Sequence, residues 1–183
     1  MKVGLLVLRN NGLQYLQKVI DRISVIDSLT LKAVLQIKWK EEEADKNIRS
    51  IYEHIKEGNT INKIIELQGT SMIAIILLDS KPDPLNQYCL HCGRYAGEKR
   101  IDNMNINRIK NDIRVQYGNI IHSADTEELA IVEIDKFGGG EIIKFLYSMD
   151  NKVLVNAVYS CDQILEQLNT MENGTKVWTP PNK

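Results

Sequence analysis

The clearest signal along the chain is where apolar residues run together and where they alternate with polar ones. Val3 to Leu8 is an unbroken apolar run, as expected of a strand covered on both faces. Asn10-Asn11-Gly12 signals a turn. Leu13, Leu16, Ile20 and Ile23 then recur at steps of three and four, the spacing of an amphipathic helix. From Leu29 to Trp39 the apolar residues Leu29, Leu31, Ala33, Leu35, Ile37 and Trp39 share one parity, which predicts a strand with one wet face. Lys40 to Ile55 is charge-rich, with Ala44, Ile48, Ile51, Tyr52 and Ile55 on one side, and reads as a surface helix broken at Gly58-Asn59. Ile61, Ile64, Ile65 and Leu67 predict a short helix stopped by Gly69. Ser71 to Leu78 is the strongest strand signal, and its lack of alternation predicts a central position.

The second half is less regular. Pro82 and Pro84 punctuate a loop, and Gln87 to Tyr95 reads as a short helix. Glu98 to Lys110 is polar and Asn-rich, the least core-like stretch before the tail. Asn111 to Tyr117 predicts another short helix and Asn119 to His122 a brief strand. Asp125 to Phe137 reads as a helix, with Leu129, Val132 and Lys136 at helical spacing, and Gly138-Gly139-Gly140 ends it. A further section follows from Glu141, with a turn at Asp150-Asn151, a helix over Val153 to Leu168 and a frayed tail at Pro180-Pro181. This order of elements suits an α+β fold, a ferredoxin-like split βαβ sandwich with a four-stranded antiparallel sheet covered by helices.

Composition narrows the functional classes. The 183 residues carry 23 Lys plus Arg against 24 Asp plus Glu, a formal charge of −1. That balance gives no field able to hold an extended nucleic acid non-specifically. No apolar run reaches the length of a membrane span, and the apolar segment before Arg9 lacks a small-residue cleavage site, so it reads as a first strand rather than a signal peptide. The expectation is a cytoplasmic protein with no membrane partner. Three cysteines, Cys89, Cys92 and Cys161, do not suggest a disulfide framework. Cys89-Leu90-His91-Cys92 lacks the partner pair a closed zinc site needs, with Cys161 and His54 as distant candidates, and reads as buried thiols. Gly138-Gly139-Gly140 precedes no phosphate-loop Lys-Ser, and Glu41-Glu42-Glu43 suits the first turn of a helix.

One segment carries candidate chemistry. Asn119, His122, Asp125 and Glu133 follow Ile113-Arg114 in a strand-to-helix stretch, with Glu133 eleven residues after His122. This spacing resembles the active-site signature of nucleoside diphosphate kinases, an Asn-x-x-His-Gly-Ser-Asp run followed by a helical glutamate. Leu6-Val7-Leu8-Arg9-Asn10-Asn11-Gly12-Leu13 is similar to the family's first strand and its Lys-Pro-Asp-Gly-Val turn, and the resemblance covers about residues 3 to 137. It implies a kinase-like domain over residues 1–140, with 141–183 as a helical extension packed on it.

The resemblance also implies roles. His122 would be the nucleophile that carries a phosphoryl group and Glu133 the carboxylate that orients it. Arg9, Arg94 and Arg114 would bind phosphates, Asn119 the sugar or a phosphate, and Tyr52 would lie near the γ-phosphate. Magnesium would arrive on the nucleotide phosphates, with no protein metal site, and the partners would be nucleoside di- and triphosphates in a homo-oligomer. The chain departs from the family pattern at several points. Arg9 stands where the family has lysine, Ser123-Ala124 replaces Gly-Ser after the histidine, and Gly58 to Thr60 carries neither the arginine nor the base-stacking phenylalanine. These departures motivate an alternative, a catalytically impaired nucleotide-binding or scaffolding protein on the same fold. A second alternative is a phosphoryl or nucleotidyl transferase with an unusual acceptor.

Overall fold

The two apolar runs at the head of the chain and at its middle lie side by side in one sheet. β1 (Lys2–Leu8) pairs antiparallel with β3 (Ser71–Asp79), from Lys2↔Asp79 to Leu8↔Ile73. β3 pairs antiparallel on its other edge with β2 (Leu29–Lys38), and β6 (Ile121–Ser123) pairs antiparallel with the outer edge of β1. The structure, a computed structural model, describes residues 1–9, 12–51, 57–89, 97–148, 164, 166 and 176–179.

The order β6-β1-β3-β2 is that of a split βαβ sandwich: β3 is inserted between β1 and β2, and β1 between β3 and β6. A fifth strand, β7 (Lys176–Trp178), pairs with Val34 to Gln36 of β2 and covers that edge. The tail was expected to fray. Trp178, 2% exposed, holds Lys176–Trp178 in place with its indole buried in the core, and Pro180-Pro181 lie outside the described residues.

Two apolar layers sandwich the sheet. In the first, α1 (Leu16–Ser24) and α4 (Met104–Tyr117) bring Leu16, Val19, Ile20, Ile23, Ile106, Ile109 and Ile113 onto Leu6, Leu8, Ile73, Ile75 and Leu77. In the second, α2 (Glu41–Ile51), α3 (Glu57–Leu67) and α5 (Glu127–Lys136) cover Leu5, Val7, Met72, Ala74 and Ile76, with α6 (Gly140–Ser148) at the margin. Adjacent strand residues therefore enter opposite layers, the alternation of a pleated strand. At Gly4 the first layer comes so close that an added Cβ would lie 1.9 Å from Ile106 Cδ1.

Several expectations change. β2 has no wet face, because both layers and β7 cover it. Its single parity is also split by a bulge: Leu31 pairs with Leu77 and Ala33 with Ile76, so Lys32 is skipped. Leu29 and Leu31 consequently enter the first layer while Ala33, Leu35, Ile37 and Trp39 enter the second. Gly58-Asn59 does not separate two helices, since α3 runs through it from Glu57. Gly69 does end that region, with φ +68°. Gln87 to Cys89 are strand, not helix: β4 (Leu85–Cys89) pairs with β5 (Gly97–Ile101), and residues 90–96 lie outside the described residues.

The polar stretch from Glu98 to Lys110 supplies β5 and the first half of α4. Asn103 caps α4 by accepting from the backbone N–H groups of Asn105 and Ile106, and Ile106, Asn107, Ile109 and Lys110 are buried. The expected Asn111–Tyr117 helix is the second half of α4. Of the expected helix from Val153 to Leu168, Ile164 and Glu166 are helical, and the rest lies outside the described residues.

Candidate active site

The sheet's pleat and its short edge strand set up the site. β6 pairs with β1 as Leu8↔Ile121, Val7↔His122 and Leu6↔Ser123. Ile121 thus enters the first layer, with Leu6 and Leu8, while His122 faces the second beside Val7. Two hydrogen bonds fix the approach to β6. The Arg9 backbone N–H donates to Ile120 O at 2.8 Å, and Arg114 Nε, from the last turn of α4, donates to Ile121 O at 2.8 Å.

α5 brings the partner of His122. Its N-terminus is capped by Thr126, whose hydroxyl accepts from Leu129 N–H at 3.3 Å. The Glu127 N–H donates to Asp102 Oδ2 at 3.0 Å, Val3 N–H donates to Glu127 Oε1 at 2.8 Å, and Lys2 pairs with Glu127 Oε2 at 2.9 Å. The Lys2 ammonium is held above its ordinary pKa, chiefly by that hydrogen bond to Glu127. So anchored to β1, α5 turns Glu133 inward, 5% exposed. Its carboxylate meets His122 Nε2 at 2.9 Å through Oε2 and 3.1 Å through Oε1.

His122 and Glu133 line a pocket with Arg9, and its walls are Val7, Ile48, Ile51, Leu67, Met72 and Phe137. Arg9, 4% exposed, has Glu66 of α3 as a partner, with Nη1 4.0 Å from Oε1. Three of the residues singled out in the sequence, Arg9, His122 and Glu133, therefore meet. Arg114 stands behind β6 on the Ile121 carbonyl. Asn119 is exposed in the loop between α4 and β6, and Tyr52 and Arg94 lie outside the described residues.

Ser123 faces the opposite layer from His122 and cannot reach its ring; its Oγ is buried without a hydrogen-bond partner among the described residues. Asp125 pairs with Lys110 at 3.8 Å. The apolar walls were read in the sequence only as helix and strand faces, and Glu66 was not singled out. An i, i+3 pair with Lys63 was the one visible sign of Glu66.

Among the described residues no group of three or more His, Cys, Asp or Glu side chains is placed to hold a metal ion. Among the described residues the carboxylate lining the pocket is that of Glu133, and it is engaged by His122. Among the described residues no helix is long and apolar enough to cross a membrane.

Comparison with known proteins agrees with this architecture. The chain is similar in structure to nucleoside diphosphate kinase from Encephalitozoon cuniculi, with a TM-score of 0.51 and 15% identity over 90% of this chain and 99% of that one. The enzyme from Aquifex aeolicus aligns with a TM-score of 0.48 and 16% identity, covering 74% of this chain and 93% of that one. The enzyme from Borrelia burgdorferi, solved with bound vanadate and ADP, aligns at 0.45 and 14%, covering 90% and 95%. No family model and no curated protein matches the chain. The fold is thus nucleoside diphosphate kinase-like.

Proposed function

We propose that this chain is a divergent nucleoside diphosphate kinase, moving the γ-phosphate of a nucleoside triphosphate to a nucleoside diphosphate through a phosphohistidine at His122. The observation that carries the reading is the His122–Glu133 pair, 2.9 Å apart in a pocket that also holds Arg9. A carboxylate accepts a hydrogen bond and so sets the ring proton on Nε2 and the lone pair on Nδ1. Nδ1 attacks the γ-phosphorus, the N–P bond forms, and the bond from that phosphorus to the β–γ bridging oxygen breaks, releasing the diphosphate. An acceptor diphosphate oxygen then attacks the phosphohistidine in the reverse sense and restores His122.

Arg9 offsets charge on the transferred group, and Arg114 steadies the backbone just before His122 through Ile121 O. Asn119, Tyr52 and Arg94 bind sugar and phosphates in this reading. Magnesium, when bound to the nucleotide, neutralises part of its phosphate charge. The protein acts in the cytoplasm as a homo-oligomer of a 1–140 domain with its 141–183 extension. β7 already occupies the β2 edge, so self-association uses another surface.

Incubation with γ-labelled ATP tests this directly. An acid-labile, base-stable label that disappears in His122→Ala is expected, and absence of label on the wild-type protein overturns the reading.

A further inference from the structure

We infer that Glu66 is a stand-in for phosphate, pairing with Arg9 beside the pocket and setting how tightly the site takes the terminal phosphates of a nucleotide. The inference rests on the pocket being a nucleotide site. A guanidinium buried to the extent of Arg9 requires counter-charge. Among the described residues, Glu66 supplies part of it from the last turn of α3, with Oε1 4.0 Å from Arg9 Nη1. The other carboxylate oxygen of Glu66, Oε2, accepts from Lys63 Nζ, one turn earlier on the same helix. One carboxylate thus serves two cations. Leu67, next to Glu66, lines the pocket with Arg9, so this exchange lies at the pocket wall.

An incoming phosphate brings more negative charge to Arg9 than one carboxylate does, and Arg–phosphate pairing is well matched in geometry. Arg9 then passes from Glu66 to the ligand. Lys63 keeps Glu66 compensated after the exchange, which lowers its cost. Glu66 therefore weakens phosphate binding, and Lys63 relieves that weakening. Glu66 is a specificity-determining residue in this scheme: a ligand with too little charge does not displace it.

The test is calorimetric titration of ADP and of inorganic pyrophosphate into the wild-type protein, Glu66→Gln, Lys63→Met and the double variant. Glu66→Gln is expected to tighten binding about threefold and Lys63→Met to weaken it about twofold, with both shifts shrinking as salt is added. Lys63→Met is expected to have no further effect in the Glu66→Gln background, because Lys63 acts through Glu66. Weaker or unchanged binding in Glu66→Gln overturns the inference, as does an equal loss from Lys63→Met in both backgrounds, or no binding by any variant. A merely structural ion pair would lower the melting temperature and weaken binding in both single variants. Labelling of His122 is scored separately. Opposed binding shifts without label would leave the exchange standing and remove phosphotransfer, and label without those shifts would do the reverse.

Discussion

Ile121, His122 and Ser123 are consecutive residues of one strand, yet they serve two different halves of the molecule. The layer that receives Ile121 is closed by α1 and α4, and Trp178 and Ile164 add to it from the end of the chain. The layer that receives His122 is built from α2, α3 and α5, and it leaves a pocket with a histidine, a buried carboxylate and an arginine. Both layers rest on the same strands, β1 and β3, so the difference comes from the helices. α1 and α4 press aliphatic stripes flat onto the sheet. α5 brings a glutamate inward at the point where the sheet edge offers a histidine. One layer mainly stabilises the fold, and the other gives up part of its packing to hold polar groups.

The sharpest way to break this comparison is to change neighbours on β6. His122→Ala is expected to abolish acid-labile labelling by γ-labelled ATP. Ser123→Ala is expected to leave labelling intact and to keep or raise stability by up to about 1 kcal/mol, because it removes a buried hydroxyl that has no partner among the described residues. Thermal unfolding and labelling of the two variants side by side check this. Loss of label in both would mean that the two layers do not divide structure from chemistry.

The next largest effect compares neighbours on β3. Ile73 and Met72 are both fully buried, Ile73 in the closed layer and Met72 in the pocket wall. Ile73→Ala is expected to cost about 3–4 kcal/mol in denaturant unfolding, and Met72→Ala about 2, since a wall beside an existing void loses fewer contacts. Equal costs would show the second layer to be as tightly closed as the first.

Glu133→Gln probes the pocket without emptying it. The amide can donate as well as accept, so the ring of His122 is no longer held to one tautomer. The initial rate of His122 labelling is expected to fall at least about tenfold, with the folded state retained. An unchanged rate would reduce Glu133 to a packing residue.

The same division explains what the sequence could tell a reader. β1 and β3 were legible because strands covered on both faces need unbroken apolar runs. α5 was legible because the spacing of Leu129, Val132 and Lys136 is a local feature. The bulge at Lys32 was not: one skipped residue reverses which layer Ala33, Leu35 and Ile37 enter, yet leaves their parity in the sequence untouched. α4 hid for another reason. Ile106, Ile109 and Ile113 form its apolar stripe, but Asn107 and Lys110 are buried among them, so composition suggested a stretch with little part in the core. For the site, His122 and Glu133 were legible through their spacing in a family-like motif. The apolar pocket walls and Glu66 were not, because residues that line a pocket obey the same periodicity as residues that fill a core.

Lys32 offers the smallest and most specific test. It sits at the β2 bulge, part-buried, and burial holds its ammonium below the ordinary lysine pKa of 10.5. At neutral pH the residue is charged in both folded and unfolded chains, and the fold bears the cost of desolvating it. As pH rises through the lowered folded value toward 10.5, the folded chain releases the proton before the unfolded chain does. The unfolded state then binds more protons, so stability contributed at this position rises with pH. Lys32→Met removes the charge and keeps much of the apolar stem. It is expected to raise stability at pH 7 by under about 1 kcal/mol, with the advantage narrowing between the lowered value and pH 10.5. Denaturant midpoints of the two proteins measured across that range check it. A gap that stays constant with pH would mean that Met gains by packing alone and that the bulge leaves the Lys32 ammonium fully in water.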